Sequence, residues 1–289
     1  MGLHFDIVDV FTDRAYAGNP LAVVHRARTL TAGQMQAIAA EFGLSETAFT
    51  LPPTTSRATY RLRIFTPRRE LPFAGHPSIG AAWALAFADM IRSGDVVQEC
   101  GAGLLPVHVD RSGARIVGGA PVVGPDLDGT ALAATVGLTA DDLDAALPAG
   151  IAAAGVPFAF LPVRPDAVAR AVPDAAAVAA ATAEQTGLAV VAVDRAAGTA
   201  HLRMFGPQLG VHEDPATGSA AVALGVHLTA RGVLPEGRSV LSITQGVEMG
   251  RPSTLEVHAR VVGGAAVEVA VRGEVRMVAK GELLALPDA

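Results

Sequence analysis

The chain has 289 residues, a formal net charge of −6 and a hydrophobic fraction of 51%, of which little is aromatic. This length can build a sizeable core in one or two domains, and the acidic balance argues against nucleic acid or an anionic membrane as a partner. The single cysteine, Cys100, excludes an intrachain disulfide framework and favours a cytoplasmic location. Because of the charge balance we expect a small-molecule partner. No His/Cys cluster has zinc-ligand spacing and no signal peptide is evident, so we expect no metal and no export.

The first elements are two β-rich runs, Phe5–Val10 and Leu21–Val24, which predict a hairpin with a long loop. Thr31 and Gln34 have the spacing of a capping box. They predict the start of a helix whose apolar positions recur at helical intervals until Gly43 ends it.

A strand follows this helix, and Glu46 lies at the junction between the two. The near alternation over Tyr60–Phe65 predicts a further, half-buried strand. The next helix is predicted over Ile79–Ile91, and strands with glycine turns over Val96–Val109 and Ala114–Val123.

A shift in composition at Gly124–Gly129 predicts a linker between two halves. The predicted halves are residues 1–123 and 130–275, and a last strand, about 276–289, is expected to return to the first half. The patterns of the second half predict helices and strands in alternation, followed by Val-rich strands over Ser239–Leu286. The predicted helices are Thr130–Val136, Asp141–Ala146 and Ala175–Thr186, and the predicted strands are Phe158–Val163 and Ala189–Asp194.

An internal repeat supports this division. The stretches 75–82 and 213–220 share one pattern: a polar residue, a proline, two further residues, a glycine and then small apolar residues. In this alignment His76 corresponds to Asp214, Pro77 to Pro215 and Gly80 to Gly218, with an offset of 214 minus 76, or 138 residues. A Phe-x-Pro segment precedes both stretches, which supports an internal repeat.

The second copy predicts an anion site at a helix start. Asp214 is expected as the N-cap, with Pro215 at the first helical position. Gly218 and Ser219 then lie in the first turn, where unpaired backbone N–H groups attract a carboxylate. The alternative interpretation is that both copies are merely capped helices.

Three residues could transfer protons: Glu46, His76 and Asp214, each beside small residues. Taken singly, each has a structural explanation: a solvated strand-edge glutamate, a loop histidine and a helix cap. His212 and Arg251 are weaker candidates, as a proton carrier and as a carboxylate-binding residue in a turn.

Several stretches, taken together, resemble the phenazine-biosynthesis isomerase (PhzF-like) family. They span nearly the whole chain and are found at residues 9–24, 45–49, 65–77, 213–220 and 245–253. The resemblance implies an α+β, diaminopimelate-epimerase-like fold: two pseudo-symmetric halves, each a curved mixed sheet around a central helix, with the active site in the cleft between them.

The resemblance also implies roles. Glu46 would be the acid/base that moves a proton between substrate carbons, and His76 and Asp214 would orient the substrate and relay protons. No cofactor is implied, and homodimers are expected. The implied substrate-binding residues are Asn19, Gly75, Gly218 and Ser219.

The function that follows is a cofactor-independent isomerase shifting a proton on a small carboxylic acid. The two active-site cysteines of the related epimerases are absent, because Cys100 lies elsewhere, so a two-thiol mechanism is excluded. Two alternatives stay open: a catalytically weak metabolite-binding protein on the same scaffold, and a hydrolase or lyase that uses Asp214 and His76.

Overall fold

The computed structural model describes residues 2–288, without the side chain of Leu209. The chain divides into two compact units: unit 1 contains residues 1–117 and 272–289, and unit 2 contains residues 118–271. Within the described residues, no helix has both the length and the apolar character needed to cross a bilayer.

Unit 1 contains a sheet that surrounds one helix. Its helices are α1 (Ala32–Phe42) and α2 (Gly75–Phe87). Its strands are β1 (Leu3–Val10), β2 (Asn19–Val24), β3 (Thr47–Leu51), β4 (Tyr60–Phe65), β5 (Glu70–Leu71), β6 (Gly94–Cys100), β7 (Gly103–Val109) and β8 (Gly113–Val117).

The strand pairings of unit 1 close on themselves. Antiparallel pairs join β1 to β2, β3 to β4, β6 to β7 and β7 to β8, and parallel pairs join β2 to β3 and β4 to β6. The final strand of the chain pairs with both β1 and β8 and completes the ring. All residues of α2 from Gly75 to Leu85 are buried, as expected for a helix that is apolar on every side and contacts strands around the ring.

The predicted start and end of α1 are confirmed. Thr31 and Gln34 form the capping box, and Gly43 ends the helix in a left-handed conformation with φ 62°. The prediction for α2 is wrong at both ends: the helix begins at Gly75, and its C-cap is Ala88. An early start is possible because Pro77 lies in the first turn, where a helix does not use the missing N–H.

The strands with glycine turns predicted after α2 are four short strands. Glycines make the breaks, and Gly103 has φ +112°, which residues with a side chain rarely adopt. The fourth of these strands, β9 (Pro121–Asp126), occupies half of the predicted linker Gly124–Gly129, and a helix begins at Gly129. The linker prediction is therefore wrong: the units divide after Val117, and the chain re-enters unit 1 at Arg272.

Unit 2 contains the second sheet and its central helix, α6 (Gly218–Ala230). Its other helices are α3 (Gly129–Thr135), α4 (Pro165–Val168) and α5 (Ala175–Ala181), with 3₁₀ turns at Ala140–Asp142 and Pro207–Leu209. Its strands after β9 are β10 (Gly150–Ala154), β11 (Pro157–Pro162), β12 (Leu188–Asp194), β13 (Thr199–Gly206), β14 (Val211–Asp214), β15 (Gly237–Gln245), β16 (Ser253–Val262) and the first part of β17 (Ala265–Leu283).

Two helix predictions in unit 2 need correction. The predicted helix Asp141–Ala146 is only the 3₁₀ turn, and the helix predicted over Ala175–Thr186 ends at Ala181. The hydroxyl of Thr182 donates to the carbonyl of Val178 and helps to end it.

The pairings of unit 2 repeat those of unit 1 in the same order. Antiparallel, parallel, antiparallel and antiparallel pairs join β10 to β14 in succession, β13 pairs in parallel with β15, and β15 pairs antiparallel with β16. Strands β1 to β7 have the same pattern. The fold is thus α+β with a duplicated half, as predicted.

The alignment of the two copies, however, differs from the predicted one. The two central helices both have 13 residues and begin at Gly75 and Gly218, an offset of 218 minus 75, or 143 residues, instead of 138. His76 therefore corresponds to Ser219, and Pro72 to Pro215. The shared sequence is Glu-x-Pro-x-x-Gly, at residues 70–75 and 213–218.

Candidate active site

Glu46 lies in the short connection between α1 and β3, and its side chain is 18% exposed. Burial raises the pKa of its carboxyl group, and the neighbouring Ser45 hydroxyl opposes this rise. A carboxyl group with a raised pKa can hold and release a proton closer to neutral pH than an ordinary glutamate can.

His76 is the second residue of α2 and is almost buried, with 7% of its side chain exposed. Its Nε2 atom lies 3.6 Å from Oε2 of Glu46. This distance is too long for a hydrogen bond but within the range of an ion pair, and catalytic contacts often tighten when substrate binds. The predicted acid/base residue and its predicted partner therefore lie side by side in unit 1.

Asn19 also belongs to this group. It is the first residue of β2, is 1% exposed, and its Oδ1 accepts a hydrogen bond of 3.4 Å from Ser45 Oγ. Because Ser45 precedes Glu46, Asn19 holds the connection that carries the carboxyl group. Unit 1 thus brings together Asn19, Glu46, Gly75 and His76.

Asp214 is not the N-cap that the sequence predicts. It is the last residue of β14, and Thr217 has the N-cap position of α6. The Oδ2 atom of Asp214 accepts a hydrogen bond of 2.5 Å from the Thr217 hydroxyl. Strand β14 continues through Asp214, which pairs with Met204 of β13. Pro215 therefore lies in the turn before the helix, and the helix starts later than predicted.

Gly218 and Ser219 do occupy the first turn of α6, as predicted. The Gly218 backbone is buried and the Ser219 side chain is partly exposed. Their role in binding a carboxylate stays a prediction, as does the meeting of the two groups of residues in one cleft.

A buried ion pair, which was not predicted from the sequence, lies beside Asp214. The Nε and Nη2 atoms of Arg203 donate to the two carboxylate oxygens of Glu213, at 2.8 and 2.9 Å. The side chains are 8% and 12% exposed, and the hydrogen bond raises the pKa of Arg203. The arginine also donates to the carbonyls of Val168 and Ala171. A sequence signal exists, because an arginine two residues before a phenylalanine precedes Glu-x-Pro-x-x-Gly in both copies. Arg63 pairs with Glu70 in the same way.

The two weaker candidates lie near Asp214: His212 is two residues before it on β14, and the Ser253 hydroxyl donates to the carbonyls of both Arg251 and Pro215. His212 is exposed on β14, Arg251 is in the turn between β15 and β16, and Cys100 ends β6. Within residues 2–288, no group of three or more His, Cys, Asp or Glu side chains could hold a metal ion.

Comparisons with known proteins agree with the fold and the signature stretches. The model of the phenazine biosynthesis-like protein family matches residues 8–281. The chain belongs to this family. It is 38% identical to a trans-2,3-dihydro-3-hydroxyanthranilate isomerase of Pseudomonas chlororaphis, over 89% of this chain and 90% of that protein. It is 35% identical to an uncharacterised isomerase of Mesorhizobium japonicum, over 96% and 97%.

A solved structure of the same family has the same fold. The crystal structure of a PhzF-family phenazine biosynthesis protein from Bacillus anthracis matches with a TM-score of 0.88 at 25% identity, over 99% of this chain and 100% of that one. The phenazine biosynthesis-like chain described here is therefore an isomerase with the epimerase-like α+β fold predicted from its sequence.

Proposed function

We propose that the chain catalyses a cofactor-independent proton shift, allylic or tautomeric, on a small carboxylic acid, with Glu46 as the acid/base. The observation that carries this proposal is the pair of Glu46 and His76. The carboxyl group is sheltered, its pKa is raised by burial, and the only titratable side chain in ion-pair contact with it among the described residues is the imidazole of His76.

The proposed reaction is balanced without a second reactant. The carboxylate of Glu46 removes a proton from a substrate carbon, and the electron pair of the broken C–H bond forms a new double bond to the adjacent carbon. The former double bond opens, and its far carbon takes the proton from the Glu46 carboxyl group. Glu46 returns to its starting form, and His76 orients the substrate or stabilises the charge that develops.

Unit 2 would hold the substrate. The first turn of α6 presents backbone N–H groups at the positive end of the helix dipole, with Gly218 and Ser219 at its opening. Asp214 is held beside this turn by Thr217. We propose that the turn binds the substrate carboxylate and that Asp214 orients a polar group of the same substrate.

The first substrate to test is trans-2,3-dihydro-3-hydroxyanthranilate, because 38% identity links this chain to a relative named as its isomerase. This compound belongs to the class of small carboxylic acids expected from the sequence. The predicted homodimer and the predicted cytoplasmic location stay predictions.

The decisive experiment compares Glu46→Gln with the wild-type chain in heavy water. We expect enzyme-dependent deuterium uptake at a substrate carbon, and a loss of about 10²- to 10⁴-fold in kcat for Glu46→Gln because the amide cannot carry the proton. Glu41→Gln, an exposed glutamate on α1, is the control and should keep full activity.

The alternatives give different results. Turnover that survives Glu46→Gln and is abolished by Asp214→Asn would point to a hydrolase or lyase. Binding of carboxylates by the wild-type chain, with no deuterium uptake across a broad panel, would point to a metabolite-binding protein.

A further inference from the structure

Thr217 occupies the N-cap position of α6 but does not cap the helix. An N-cap threonine ordinarily accepts a hydrogen bond from a backbone N–H in the first turn. Here the side chain makes no such bond. Its hydroxyl instead lies 2.5 Å from Oδ2 of Asp214. The Thr217 side chain therefore lacks the usual capping hydrogen bond and instead binds a candidate catalytic carboxylate.

Gln245 determines which way the threonine hydroxyl points. This glutamine is the last residue of β15 and is 1% exposed. Its Oε1 accepts the backbone N–H of Thr217 at 3.1 Å, which places the Nε2 group on the other side of the amide. From there Nε2 donates to Oγ1 of Thr217 at 3.0 Å and to the backbone carbonyl of Asp214 at 2.7 Å.

These contacts leave one arrangement of hydrogen atoms. An amide nitrogen only donates, so Oγ1 of Thr217 must be the acceptor in its contact with Gln245. The single hydroxyl hydrogen is then available for Asp214, and a carboxylate oxygen accepts it. The opposite orientation of the amide would place its NH₂ group against the N–H of Thr217. Gln245 therefore holds the backbone of Asp214 and also directs the hydroxyl that holds its side chain.

A second contact fixes the chain on the other side of this residue. Glu213 directly precedes Asp214 on β14, and each of the two carboxylates has its own partner. Glu213 is bound by the buried Arg203, and Asp214 is bound by Thr217. Both the strand and the carboxylate are thus held in place before any substrate arrives.

We propose that Thr217 and Gln245 are positioning residues that hold the Asp214 carboxylate in the orientation required for catalysis. The inference rests on the proposed function, in which Asp214 orients the substrate. Neither residue need contact the substrate, because each acts through Asp214. A catalytic group that is displaced by about 1 Å can cost about 100-fold in rate, so hydrogen bonds that fix its orientation have a large effect on turnover.

The test uses four variants of the full chain. Thr217→Val keeps the shape of the side chain and removes the hydroxyl, and we expect kcat to fall about 10- to 100-fold with a smaller change in KM. Thr217→Ser restores the hydroxyl and should recover kcat to within about threefold. Gln245→Glu replaces the amide NH₂ group, which donates to the Thr217 hydroxyl, by a carboxylate oxygen, which accepts. The hydroxyl should then donate to residue 245 instead of to Asp214, and kcat should fall as for Thr217→Val.

The matched control is Thr229→Val on the same helix. The Thr229 hydroxyl is also buried but donates to the carbonyl of Gly225, so its removal should leave kcat within about twofold. The proposal is overturned if Thr217→Val and Thr229→Val have equal kcat, or if Thr217→Ser is as slow as Thr217→Val. If Thr217→Val does not fold, Gln245→Glu and Thr217→Ser decide the question in the same assay.

Failure of the proposed function can be told apart from failure of this inference. If Asp214→Asn or Glu46→Gln keeps full turnover, the proposed function is wrong, whatever Thr217 does. If the wild-type chain turns over no carboxylate, proton NMR of the free protein decides. A slowly exchanging Thr217 hydroxyl resonance, assigned by its loss in Thr217→Val, must disappear or shift in Asp214→Ala, and a resonance that does not change overturns the inference.

Discussion

The two units have the same strand pairings but different side chains where the chemistry would occur. The second residue of the central helix is His76 in unit 1 and Ser219 in unit 2. In the strand pairings, Thr47 lies beside Phe65 in unit 1 and Leu188 lies beside Phe205 in unit 2. Glu46 of unit 1 therefore corresponds to Gly187 of unit 2.

A steric constraint explains why position 187 is a glycine. A Cβ atom at Gly187 would lie 2.5 Å from the backbone oxygen of Phe205, so no side chain fits there without a shift of the strand. The duplication therefore preserves the scaffold, while only unit 1 has a carboxyl group at the position where a proton carrier is predicted. Unit 2 has Gly218 and Ser219, the predicted carboxylate-binding residues, at the start of its central helix.

At the Arg–Glu pairs, in contrast, the two units have the same residues, and only the burial of the side chains differs. Arg63 and Glu70 have 20% and 42% of their side chains exposed, against 8% and 12% for Arg203 and Glu213. Burial makes the second pair difficult to break, because a charge left alone in the interior has no water to replace its partner.

The largest expected effect is on the stability of the buried pair. Arg203→Met should lower the free energy of unfolding by about 3–5 kcal/mol, because Glu213 loses its partner in a buried site. Arg63→Met, the equivalent change in unit 1, should cost less than about 1 kcal/mol, because the pair is partly exposed to water. Urea denaturation of both variants measures the difference, and equal losses would contradict the role of burial.

The next effect tests the helix starts. His76→Asn should lower kcat about 100-fold, because it removes the imidazole beside Glu46. Ser219→Ala should cost about 10-fold or less, the value of one hydrogen bond. His108→Asn, at an exposed histidine of β7, is the control and should have no effect. If Ser219→Ala were the slower of the two, unit 2 would carry the chemistry.

The smallest effect concerns a buried histidine that unit 1 lacks. His227 on α6 is fully buried, and its counterpart at the 143-residue offset is Ala84. Burial, with a smaller contribution from the positive charge of Arg231, lowers the pKa of His227 to about 4. The unfolded chain, with an ordinary pKa of about 6.5, takes up this proton first, so the stabilisation present above pH 6.5 is lost as the pH falls towards 4.

We expect this group to reduce the free energy of unfolding by about 2 kcal/mol between pH 7 and pH 4.5. His227→Leu removes the titrating group and should weaken the pH dependence by that amount. Urea denaturation at the two pH values provides the measurement, and an unchanged pH dependence in His227→Leu would show that His227 is not the cause.

Local chemistry made part of the structure predictable. The capping box at Thr31 and the glycine at position 43 determine both ends of α1, because the contacts that define them lie within a few residues of the chain. The alternation of β4 and the position of Glu46 between a helix and a strand follow for the same reason. The signature stretches identified the family, and with it the residues of the candidate site.

The sequence alone thus determined most of the segments that form helices and strands, that one half is repeated, and which residues are candidates for the site. The tertiary structure decided where α2 and α6 begin. It also showed that His76 corresponds to Ser219 in the other copy and not to Asp214. Only the folded chain brings Gln245 to Thr217. Proline is compatible with a position just before a helix and with its first turn, so the choice depends on strand register and on contacts between residues far apart in sequence.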